Sequence, residues 1–233
     1  MTANNDNEII LYDLARRDDI NESWSFNVWK TRLILNYKFD LRAPGNTTQH
    51  LGWLKYTVPT IRLPDGTFVR DSAVIAETLE TLFPSPKLIF DPATQAKAEH
   101  AITASAMPLS AIFIPRIARD VLIETSVPLW RAAREKTFGM TFEELEVARG
   151  GKKAWKAAAE PGFRLLHAVL TEHKWTDGPF VMGREVSYGD LMIVALIESL
   201  KRIGENLRRL AVLGHAFECK DPLFLWLSDS CQD

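Results

Sequence analysis

The sequence predicts an α/β domain followed by an all-α domain, and three observations carry that prediction. Residues 1–83 alternate β-rich runs with apolar residues at helical spacing. Residues 84–92, PSPKLIFDP, hold three prolines in nine positions, a run that neither a helix nor a central strand continues through. From residue 93 onward the character is helical. The domains are therefore drawn at 1–83 and 93–233, with 84–92 as linker.

Composition narrows the function. The chain has 233 residues, 46% hydrophobic and 25% charged, ordinary for a globular protein with one large or two modest cores. Its 28 basic and 30 acidic residues give a net charge of −2, with no basic run to suggest nucleic acid. The two cysteines, Cys219 and Cys231, make no disulfide framework and no zinc spacing, which fits a reducing cytoplasm. MTANNDN at the start lacks the pattern of a signal peptide. No uninterrupted apolar run approaches the roughly 18 residues needed to span a bilayer.

Glu8–Leu14, EIILYDL, reads as a buried central strand. A polar loop, Ala15–Glu22, follows. Ser23–Lys38 is helical after its first residues, with Val28, Trp29, Leu33 and Leu35 toward the core and Ser25 able to cap. A serine at a helix start has a chemical use. The N–H groups there are unpaired and the dipole favours negative charge, so a thiol held at that point ionises more easily. The hydroxyl adds a hydrogen bond to the sulfur, and the ligand's own thiolate is then the nucleophile. Phe39–Arg42 is β-like, Pro44-Gly45-Asn46 turns, and Thr47–Lys55 reads as a short helix or loop. Within it Gln49, His50 and Lys55 are two neutral donors and a cation suited to a carboxylate.

Tyr56–Phe83 reads as strand, hairpin, strand and helix. Val58, Thr60 and Ile61 are β-formers flanking Pro59, and Pro64-Asp65-Gly66 makes the turn. Asp71 and Ser72 precede the apolar spacing Val74, Ile75, Leu79, Leu82, and Ser72 suits the N-cap. With a cis Val58–Pro59 bond, Val58 turns its N–H and C=O toward an added extended peptide. The peptide's α-carboxylate then sits on the helix start at Asp71-Ser72.

In the second domain, Thr94–Thr125 is a long helix that Pro108 and Pro115 should kink or divide. Val127–Gly139 and Lys152–Lys174 are further helices. Thr141-x-x-Glu144 and Ser187-x-x-Asp190 have the form of capping boxes, the second introducing the apolar helix Leu191–Leu200. Leu207–Asp233 holds a helix or two.

Val-Pro, hairpin, Asp-Ser and helix, in that order, resemble the glutathione-binding half of glutathione transferases, a thioredoxin-like domain. Ser25-x-x-x-Trp29-Lys30-Thr31-Arg32-Leu33 resembles, more narrowly, fungal glutathione transferases akin to the bacterial β-etherase group. The resemblance implies the glutathione transferase fold: a thioredoxin-like N-terminal domain and an all-helical C-terminal one. It implies Ser25 as the thiol-activating residue. It departs at Phe26, where the family has proline, and Ser23 and Asn27 are the substitutes. It implies Val58, Pro59, Asp71 and Ser72, with Gln49, His50 and Lys55, as the glutathione site. Trp24, Phe26, Met107, Ile112 and Phe113 are the implied electrophile pocket. Glutathione is the cosubstrate and no metal is implied. The implied partners are glutathione and a hydrophobic small molecule, without nucleic acid or membrane, in a cytoplasmic homodimer. Three activities share such a site: conjugation in detoxification or secondary metabolism; glutathione-dependent isomerisation, elimination or ether cleavage; and glutathione or ligand binding without catalysis.

Overall fold

The computed structural model describes residues 8–14, 16–17, 23–39, 49–50, 58–148, 151–171 and 177–204. Its N-terminal part is a four-stranded sheet with two helices. Strand β1 (Ile10–Asp13), strand β2 (Gln49–His50), strand β3 (Thr60–Arg62) and strand β4 (Phe68–Arg70) lie in the order β2-β1-β3-β4. Helix α1 (Phe26–Phe39) follows β1, and α2 (Ser72–Leu82) follows β4. All four residues of β1 are buried, as an apolar central strand must be. The β3–β4 hairpin turns through Gly66 at φ 88°, a conformation that glycine adopts without steric cost.

The register decides what lies at each end of the sheet. β1 is parallel to β2, pairing Asp13 with His50, and antiparallel to β3, pairing Tyr12 with Thr60. Thr60 in turn faces Arg70 on β4. One edge therefore gathers the end of β1, the end of β2, the start of β3 and the end of β4.

The C-terminal part is helical: α3 (Pro92–Arg116), α4 (Val127–Phe138), α5 (Phe142–Val147), α6 (Gly151–Thr171) and α7 (Tyr188–Ile203). Asp91 caps α3 by accepting from the Thr94 N–H, with Pro92 at the first turn where a missing N–H costs nothing. Thr141 and Ser187 form the capping boxes legible in the sequence, with Glu144 and Asp190 as reciprocal partners. α7 is buried along nearly its whole length and forms the axis of the helical part.

Two expectations are corrected. The short helix or loop expected over Thr47–Lys55 contains strand β2. Of the kink or division expected at Pro108 and Pro115, the division does not occur; α3 runs through both and widens afterwards into a π turn, Ile117–Val121, closed by the Leu122 N–H on the Ile117 carbonyl at 3.0 Å. One stretch, Pro92–Val121, is long and apolar enough on average to cross a bilayer. More than half of its apolar window is buried inside the protein, against α6 and α7, as in the core helix of a globular domain. Leu207–Asp233 lies outside the described residues.

α3 and α6 meet where α6 has a glycine. A Cβ on Gly162 would stand 2.2 Å from the Ser105 nitrogen and 2.4 Å from the Ala104 carbonyl carbon. Both are backbone atoms and cannot rotate away. Gly162→Ala is expected to cost about 3 kcal/mol, read as a lower urea midpoint. A loss below about 0.5 kcal/mol, the range of a neutral surface change, would show that the helices do not meet there.

Candidate functional site

The residues singled out in the sequence converge on the sheet edge that the register defines. Ser25 follows from the end of β1, Val58 and Pro59 lead into β3, and Asp71-Ser72 follow β4. Gln49 and His50 are the two residues of β2, whose end lies at the same edge. Across the strands the order is His50, Ser25, Val58, Asp71-Ser72. Lys55 lies outside the described residues.

Ser25 is held by a chain of hydrogen bonds that starts in the sheet. Asp13, 1% exposed, accepts from the Leu14 N–H (2.7 Å), the Ser23 hydroxyl (2.9 Å) and the Arg32 guanidinium (3.1 Å). The Ser23 oxygen then accepts from the Ser25 N–H at 3.1 Å, and the Ser23 carbonyl accepts from the Trp29 indole at 2.8 Å. Ser25 occupies the N-cap position, its carbonyl accepting from the Trp29 N–H at 2.9 Å. The neighbouring Trp24 carbonyl accepts from the Ser199 hydroxyl of α7 at 2.8 Å, and its ring meets Trp130 of α4 edge-on at 5.5 Å. The turn is thus pinned from the sheet, α7 and α4, which leaves the half-buried Ser25 side chain at the start of α1. Proline is not needed to fix this entry.

Ser23 and Asn27 are corrected as substitutes. Ser23 is fully buried and its hydroxyl is consumed between Asp13 and Ser25; Asn27 is exposed on the surface of α1. Trp24 and Ile112 are core side chains rather than free pocket walls, at 4% and 8% exposure, and Met107 is exposed. Phe26 and Phe113 are half-buried and can present a face to a ligand.

The Val58–Pro59 bond is cis. The β3 ladder begins at Thr60, so Val58 stands beyond it and its backbone is not part of that pairing. At the end of β4 the N-cap of α2 is Asp71, not Ser72. Asp71 adopts φ 69° and its carboxylate accepts from the Ala73 N–H (2.8 Å) and the Val74 N–H (3.3 Å). A non-glycine residue at positive φ is uncommon and points to a local functional constraint. Ser72 becomes the first residue of the helix and is buried.

Three further groups stand at this edge without a sequence signal. Lys30 lies over the Phe26 ring at 4.7 Å; burial pushes its pKa down, and the Asp71 and Glu99 carboxylates push it back up. Asp13 anchors Ser25 from a strand whose apolar pattern gave it no role. Tyr188, at the start of α7, is 2% exposed, and its buried hydroxyl has no hydrogen-bond partner among the described residues. An exposed apolar pattern or a charge run would have marked them; each is instead a single polar group brought in by tertiary contact.

The arrangement can hold an extended anionic peptide with its thiol at the start of α1. Residues 93–212 match the family model for the C-terminal domain of glutathione S-transferases. The chain is 25% identical over 242 residues to the glutathione S-transferase-like protein ustS of Aspergillus flavus, covering 90% of this chain and 86% of that protein. Among solved structures it is similar to the glutathione S-transferase CsGST83044 of Ceriporiopsis subvermispora, solved in complex with glutathione. That likeness has 26% identity and a TM-score of 0.72, and covers 91% of this chain and 99% of the other. It shares the fold of the glutathione transferase GSTFuA3 of Phanerochaete chrysosporium at 23% identity and a TM-score of 0.70, over 91% and 98% of the two chains. A thioredoxin-like N-terminal domain and a helical C-terminal domain are the architecture common to them.

Proposed function

The chain belongs to the glutathione S-transferase family, and we propose that it binds glutathione along the sheet edge and activates its thiol for attack on a hydrophobic electrophile. The observation that carries this reading is the row of strand ends His50, Asp13, Thr60 and Arg70 set by register, which Ser25 (held through Asp13 and Ser23), Val58 and Asp71-Ser72 adjoin. Three strand spacings of about 4.8 Å make the row roughly 14 Å long. Three extended residues reach roughly 10 Å. Glutathione therefore covers most of the edge when its γ-glutamyl carboxylate sits at Ser72. Its backbone then pairs with Val58 and its cysteine reaches Ser25.

In this reading the Ser25 hydroxyl donates to the thiolate sulfur, and the dipole of α1 adds favourable potential. The thiol proton leaves to solvent. The thiolate forms a C–S bond to the electrophile as the leaving group departs or the double bond accepts the electron pair. Phe26 and Phe113 offer the apolar face for that electrophile. Phe68, Val74 and Met107 expose large apolar side chains on β4, α2 and α3, which supports the homodimer implied by the family. The reading places the enzyme in the cytoplasm, in detoxification or secondary metabolism.

The test is retention on glutathione–agarose with turnover of chlorodinitrobenzene. Wild-type protein should be retained and should form the conjugate. Ser72→Ala is expected to weaken glutathione binding about 10-fold or more, the loss of one hydrogen bond to a charged group. Retention without turnover of any electrophile would favour binding without conjugation. No retention would remove glutathione as the ligand.

A further inference from the structure

We infer that Ser199 of α7 is a positioning residue for the thiol end of the site: its hydroxyl fixes the Trp24–Ser25 peptide and thereby aims the Ser25 hydroxyl at the ligand's sulfur. The inference rests on the glutathione reading and adds to it a residue from the helical domain.

The Trp24 carbonyl and the Ser25 N–H belong to one planar peptide group. Each end of that group has its own partner. The carbonyl accepts from the Ser199 hydroxyl at 2.8 Å, and the N–H donates to the Ser23 oxygen at 3.1 Å. The next peptide is held as well, because the Ser25 carbonyl accepts from the Trp29 N–H at 2.9 Å. With both flanking peptides fixed, rotation about the Cα–Cβ bond is the main freedom left to Ser25, and its oxygen is confined to a few staggered positions. Ser199 is itself firmly placed, at 5% exposure on α7. Three residues on, the Arg202 guanidinium pairs with the buried Glu198 carboxylate and lies over the Trp29 ring at 4.1 Å. The Trp29 indole in turn donates to the Ser23 carbonyl at 2.8 Å. α7 therefore meets the Ser25 turn directly through Ser199 and indirectly through Arg202 and Trp29. Without the Ser199 hydroxyl, the Trp24 carbonyl is left in the interior without its donor. Turning the peptide to find another carries the Ser25 N–H off Ser23 and the Ser25 hydroxyl off the sulfur.

The test is Ser199→Ala with glutathione bound, read by the ultraviolet absorbance of the thiolate titrated against pH. The expected result is a bound-thiol ionisation constant about 3- to 10-fold smaller than in the wild type, the worth of one ordinary hydrogen bond, so that the titration moves to higher pH. Calorimetric affinity for glutathione at acid pH, where the thiol is protonated in both proteins, should be unchanged. The substitution leaves the charged groups on the elements around the turn in place: Asp13 with Arg32, Glu198 with Arg202, Lys30 over Phe26 and Arg134 over Trp130. In a Ser25→Ala background, Ser199→Ala should move the titration no further, because Ser199 acts through Ser25. Ser199→Cys, a weaker donor of similar size, should fall between wild type and Ser199→Ala, and gives the same reading if alanine impairs folding. An unmoved titration, or an equal shift in the Ser25→Ala background, would overturn the inference. Wild-type protein that binds no glutathione, or that leaves the bound thiol no more acidic than the free one, would overturn the underlying reading of the site, and the inference with it.

Discussion

Asp190→Ala is expected to lower the unfolding free energy by about 4 kcal/mol. The Asp190 carboxylate is fully buried and accepts three hydrogen bonds: from the Val181 N–H at 2.7 Å, the Ser187 N–H at 2.8 Å and the Ser187 hydroxyl at 2.6 Å. Alanine leaves these donors in the interior without a partner, and each such donor costs about 1–3 kcal/mol. It also removes one half of the capping box that starts α7. Burial pushes the Asp190 carboxyl's pKa up, and the bonds from Ser187 and Val181 push it back down, so the donors are what make a carboxylate tolerable there. α7 carries Ser199, whose hydroxyl clamps the Trp24 carbonyl next to Ser25. Damage to this cap therefore reaches the turn that holds Ser25. Chemical denaturation of wild type and variant checks the figure. A loss below about 1 kcal/mol would mean that water replaces the carboxylate and that the cap is not a buried keystone.

Ser25→Ala is expected to reduce kcat/KM by about 10- to 100-fold, with glutathione affinity nearly unchanged. The figure corresponds to one hydrogen bond to a charged sulfur, about 1.5–3 kcal/mol. The helix start at α1 remains, which is why activity is not abolished. Two features support assigning the role to Ser25. It stands at the N-cap of α1, and its position is dictated by the Asp13–Ser23 chain rather than by its own side chain. Ser23→Ala should then lower kcat as well, by freeing the turn, although its hydroxyl never meets the thiol. If Ser25→Ala keeps full turnover, activation comes from the helix start alone.

Much of this was legible in the residues because it depends on local backbone chemistry. Pro64-Asp65-Gly66 fixed the hairpin, Thr141 and Ser187 announced their capping boxes, and Gly139 ends α4 at φ 70°. The Val58–Pro59 and Asp71-Ser72 pairs marked the start of β3 and the start of α2. What could not be read depends on contacts between distant segments. β2 is two residues long and exists only because β1 offers it an edge. Ser23, Ser25 and Asn27 are chemically similar by sequence, and only Asp13 distinguishes the first. Trp24 and Ile112 had the composition of a pocket wall, but packing drew both into the core. The Ser199 hydroxyl of α7 on the Trp24 carbonyl spans 175 positions of the chain and leaves no trace in spacing.

The central claim is that one sheet edge binds glutathione at Ser72 while Ser25 acts on its thiol. A calorimetric titration of wild type, Ser72→Ala and Ser25→Ala with glutathione tests it most directly. The account expects one site per chain in the wild type, affinity about 10-fold or more weaker in Ser72→Ala, and affinity nearly unchanged in Ser25→Ala. Equal affinity in wild type and Ser72→Ala, or no heat of binding at all, would contradict it.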